Sequence, residues 1–103
     1  MADYNLIFQG HFERTDNPRD HTRNFVEHYI RNAEIPREDQ EITVPRDYFN
    51  QLLATRNLQW GGASTPKEDD HVFRVGKVSH KFSARGLEHE VVAHYKIRVG
   101  EGD

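Results

Sequence analysis

The chain has no cysteine, a single methionine, a single tryptophan and four prolines, and it contains no long apolar run. Without cysteine there is no disulfide framework, no thiolate nucleophile and no zinc or iron–sulfur site built on thiolates. A helix crossing a bilayer needs roughly 18–20 consecutive apolar residues, and the N-terminal stretch has neither the basic segment nor the continuous apolar segment of a secretory leader. The expectation is therefore a soluble, unexported, cytoplasmic chain with no membrane partner.

What is present suits one small domain spanning 1–103. Leu, Ile, Val and Phe make 24 of the 103 residues, above the roughly 20% below which a highly charged chain stays disordered. The formal net charge of −3 hides an uneven distribution. Residues 1–70 carry eight Lys/Arg against thirteen Asp/Glu, whereas residues 71–100 carry six against two. That asymmetry points to a basic face on the C-terminal third, with an ordinary solvated surface as the plainer reading.

From Tyr4 to Phe12 the aromatic residues and Leu6 fall on even positions, which predicts a strand with Tyr4, Leu6, Phe8 and Phe12 on one face and Asn5, Gln9 and His11 on the other. Within it NLIFQG resembles a protease site used in purification tags, but the period of two reads as folded strand. Asn17 and Pro18 form a helix start, and Phe25, Val26, Tyr29, Ile30 and Ala33 recur at helical spacing, predicting an amphipathic helix over 18–34. A short extended piece around Ile42 and Val44 follows. A second helix then begins at Pro45, with Phe49, Leu52, Leu53 and Arg56 on one side and Asn57 as its stop.

Residues 59–70 read as a surface loop holding Trp60, which either anchors an interface or folds back over the core. The last third reads as strands. Val91, Ala93, Tyr95, Ile97 and Val99 share one phase, while Glu90, Val92, His94, Lys96 and Arg98 share the other. In HVFRVGKVSHKF the phase flips at Gly76-Lys77; a bulge there in one long strand is preferred over a two-residue hairpin turn. The predicted fold class is α+β in two layers, two amphipathic helices on one face of a mainly antiparallel sheet of three to five strands.

Chemical motifs are missing. His89 and His94 are five apart, on opposite faces of a strand; His21 and His28 are two helical turns apart; and HExxH, GxGxxG and GxSxG do not occur. No metal and no cofactor are expected, although a site assembled from distant positions such as His11 and His94 is left open. A metal-free acid–base site needs only His, a partner and a cation. His80, His94 and Arg98 are the catalytic candidates on that reading, within a basic set of Arg74, Lys77, Lys81, Arg85, Lys96 and Arg98.

The expected function is a binding module for a protein partner or a second copy of itself, engaged through the sheet. Trp60, His11, Arg74, Lys77, Lys81, Arg85, Lys96 and Arg98 are its candidate binding residues. The alternative is a nucleic-acid binder or a small ribonuclease-like enzyme on the basic strands; the enzyme reading ranks behind binding because no motif carries it.

Overall fold

Alternation of apolar and polar residues makes strands of most of the chain. The computed structural model describes residues 1–17, 25–61 and 70–95. In order these are β1 (Ala2–Gln9), β2 (Phe12–Arg14), β3 (Phe25–Ala33), β4 (Glu41–Pro45), α1 (Arg46–Thr55), β5 (Leu58–Trp60), β6 (Asp70–Ser83) and β7 (Gly86–Tyr95). Strands β3-β1-β7-β6-β4 form one sheet, and β2 pairs with β5 in a second, two-stranded one. No helix among the described residues is long and apolar enough to cross a membrane.

Two expectations fail. The sheet is mixed, because β1 runs parallel to β7 while the other pairs are antiparallel. The fold is also mainly β, with α1 the one helix among the described residues, so α+β with two helices is incorrect. The described part of the predicted first helix is strand β3, and residues 18–24 lie outside the described residues. Phe25, Val26, Tyr29 and Ile30 fit a helical stripe, but Val26, His28 and Ile30 equally share one face of a strand. Aromatic and β-branched residues favour the pleated alternative once a neighbour can pair with them. Strand β1 is that neighbour, with Phe8 opposite Val26 and Tyr4 opposite Ile30.

The second predicted helix forms. Pro45 occupies its N-cap position and Asp47 its first turn, where a carboxylate complements the helix dipole. Asn57 ends it in the left-handed region at φ 56°. Phe49 and Leu53 turn inward, and the Arg56 guanidinium donates from Nη2 to the Glu27 carbonyl oxygen at 2.7 Å, tying the helix end to β3.

Helix α1 and the β2–β5 pair contribute Phe12, Phe49, Leu53, Leu58 and Trp60 to one core with the inner face of the large sheet, where Tyr4, Leu6, Phe8, Val26, Phe73, Val75, Val91 and Ala93 are buried. The centre is aromatic: Phe49 lies 5.3 Å from Phe8, 5.2 Å from Phe73 and 5.6 Å from Trp60, centroid to centroid. Such offset and edge-on pairs add to the area each ring buries. Gly10 is required beside them, since a Cβ there would sit 2.9 Å from the tip of the Phe12 ring and 3.2 Å from Trp60.

Candidate functional site at the β6–β7 hairpin

Strand β6, 14 residues, is the longest of the described elements, and the bulge preferred from the sequence is present between Val75 and Lys77. It restores the phase: Val78 opposes Val91, His80 opposes His89 and Phe82 opposes Leu87, all continuing the inner face. The turn Ala84-Arg85 closes at Gly86, whose φ of +106° suits glycine. Ser83 braces it, its Oγ accepting from the Arg85 amide at 3.1 Å.

The hairpin outruns its support. Among the described residues the β1–β7 ladder extends from Asn5–Glu90 to Gln9–His94, whereas β7 continues back to Gly86 paired only with β6. Between the start of β1 and the hairpin lies an open cleft of about 770 Å³. Asp3, Tyr4, Asn5 and Tyr29 line one wall, and His80, Lys81, Arg85 and Leu87 through Glu90 the other. Beyond the inner-face residues that α1 and β5 cover, the same row is solvent-exposed: Phe82 is 82% and Leu87 50% accessible.

Each wall is fixed by specific contacts. The Asp3 carboxylate accepts from the Asn32 amide at 2.8 Å and from the Tyr29 hydroxyl at 3.2 Å, holding β3 against β1 where their register shifts. Partial loss of hydration, reinforced by the Asp3 carboxylate, holds the Tyr29 phenol above its ordinary pKa. Across the cleft His80 Nδ1 and His89 Nδ1 are 2.7 Å apart with their rings near perpendicular. One imidazole donates and the other accepts.

The sequence-predicted residues separate into groups. His80, Lys81 and Arg85 meet at the cleft. His94 lies on the opposite face of β7 from His89, its ring over Gly76, so His80 and His94 do not form one acid–base pair. Asn5, Gln9 and His94 share the outer face as expected, but His11 does not. Strand β1 ends at Gln9, and His11 instead leads into β2, where its carbonyl oxygen accepts from the Gly61 amide at 2.8 Å. The His11 ring lies against Gly61 and the His94 ring against Gly76. Trp60 is 9% accessible and belongs to the core, the second of its two readings. Lys96 and Arg98 lie outside the described residues.

Nor do the described cations form a stripe of one sign. On the outer face Arg31, Arg74, Lys77 and Lys81 are interleaved with Asp3, Glu27, Glu41, Glu88 and Glu90; Arg74 lies 3.7 Å from the Glu41 carboxylate, and Lys81 opposes Glu88 in register. The two imidazoles at the cleft bond to each other, which leaves no room for a phosphate between them.

Two features escape sequence reasoning. His89 enters the cleft because the hairpin register sets it opposite His80, a relation that intrastrand spacing does not contain. His71 is 1% accessible, its ring 5.2 Å from Trp60 and 5.4 Å from Phe49, and neither its nitrogens nor Trp60 Nε1 has a hydrogen-bond partner among the described residues. Burial, with the Arg46 charge behind it, lowers the His71 pKa against a weaker opposing effect of Asp70 and favours the neutral ring. Its odd-numbered phase with Phe73 and Val75 is the signal that could have placed it inside. Compared with known proteins, the chain matches no family model, no curated protein and no solved structure.

Proposed function

We propose that the protein is a small binding module that takes an extended segment of a protein partner into the cleft beside the β6–β7 hairpin. The interrupted ladder supports this reading: among the described residues β7 has no strand partner on its β1 side from Gly86 to His89, and the cleft lies beside that edge. An added strand gains main-chain hydrogen bonds from such an edge and selectivity from alternate side chains. Phe82 and Leu87 supply an apolar anchor at the tip on the inner face, and Asp3, Lys81, Glu88 and Glu90 on the outer face, with Arg85 in the turn, add charges of both signs. A second copy of the chain satisfies the same chemistry, and a twofold dimer would then pair the two hairpins.

Selection from a displayed library of linear peptides, followed by titration of the enriched peptides into 15N-labelled protein, tests the reading. The amides of Gly86 through His89 should shift and gain protection from exchange, and Leu87→Glu should abolish the response. Diluting the protein alone reports the dimer at the same amides. Failure to enrich any peptide, together with a monomer at all concentrations, contradicts the reading, as do shifts centred away from the hairpin.

A further inference from the structure

We infer that His80 and His89 form a two-imidazole site for a divalent transition metal ion of the copper(II) or nickel(II) class. This goes beyond the peptide-binding reading and stands or falls separately from it. The hairpin register places the two residues directly opposite one another, and a Gly86-closed turn holds the strands that carry them. His80 is exposed and His89 half-buried, so an ion can reach both. Their Nδ1 atoms face each other 2.7 Å apart in a hydrogen bond, so a tilt of the two rings aims both at one ion beside the line that joins them.

Imidazole ligands and the order of affinity select the ion. With metal–nitrogen bonds of about 2.0 Å, two ligands at a right angle lie about 2.8 Å apart, and two at a tetrahedral angle about 3.3 Å. The 2.7 Å separation is that of the hydrogen bond; the pair opens least to reach the right-angle spacing of tetragonal copper(II) or nickel(II) and further for tetrahedral zinc. Binding requires each ring to tilt so that its lone pair meets the ion, and the donor imidazole to carry its proton on Nε2; no net proton is lost. No group of three or more His, Asp or Glu able to hold a metal occurs among the described residues, so water completes the sphere, and the order of affinity follows copper above nickel and zinc.

Titrating the full chain with copper(II) at neutral pH in a non-chelating buffer, by calorimetry and electron paramagnetic resonance, tests the site. The expected result is one high-affinity equivalent with two-nitrogen hyperfine structure and weaker binding of zinc. His80→Ala and His89→Ala should each lower the affinity at least tenfold, and His11→Ala should leave it unchanged. Paramagnetic broadening in the wild-type NMR spectrum should strike the His80 and His89 ring protons first, which keeps the test valid if a variant is perturbed. Affinity unaltered by either hairpin substitution, or first broadening at another histidine, would overturn the assignment.

Discussion

The two ends of the inner sheet face are built alike and covered differently. At one end Phe73, Val75, Ala93 and Phe8 lie beneath α1 and β5 and are excluded from water. At the other, Val78, His80, Phe82, Leu87 and His89 continue the same alternation along β6 and β7, but Phe82 and Leu87 are left open to solvent. Apolar burial is the dominant favourable term in folding, so the covered end supplies stability. The open end holds large apolar side chains that contribute little to it, and this is what supports the proposal of a partner there.

Substitutions that separate the two ends sharpen this contrast. Phe49→Ala should have the largest effect, about 3–5 kcal/mol of lost stability in chemical denaturation, because Phe49 is fully buried against Phe8, Phe73 and Trp60. Gly10→Ala should cost about 1–3 kcal/mol by overpacking, since the added methyl meets the Phe12 and Trp60 rings, both buried in the core. A loss below about 0.5 kcal/mol at either position would mean that the aromatic cluster is looser than described.

The next effect emerges only in acid. His71 has a pKa lowered from its ordinary 6.5 in the folded protein, so below pH 6.5 the unfolded chain binds a proton that the folded chain resists. Its contribution to stability is complete above 6.5 and declines as pH falls, until the folded imidazole itself protonates. His71→Phe should flatten this part of the acid limb in urea midpoints measured from pH 7.5 to 5. Parallel wild-type and variant curves would show that His71 gains a proton without cost.

Much of the covered end is legible in the chain. Tyr4, Leu6 and Phe8, and Val91, Ala93 and Tyr95, keep the strict alternation of half-buried strands; Pro45 and Asn57 bracket α1; and the phase flip at Gly76 marks the bulge. Strand β3 is not legible, because FVEHYI satisfies a helical and a strand period together and only pairing with β1 decides between them. The parallel β1–β7 pairing joins residues far apart in sequence, which local pattern does not encode. The open end is legible only in part: the basic residues at the cleft could be named, but their meeting with Asp3, Tyr29 and His89 depends on register.

The smallest expected change in stability is also the most informative. Phe82→Ala combined with Leu87→Ser removes the exposed apolar pair, and surface substitutions of this kind shift stability by no more than about 0.5 kcal/mol. The account predicts an unchanged urea midpoint alongside loss of the peptide or self-association response at Gly86 through His89. A large drop in stability would place these side chains in the core, and retained binding would place the interaction elsewhere; either result would contradict the division between a covered end that folds and an open end that binds.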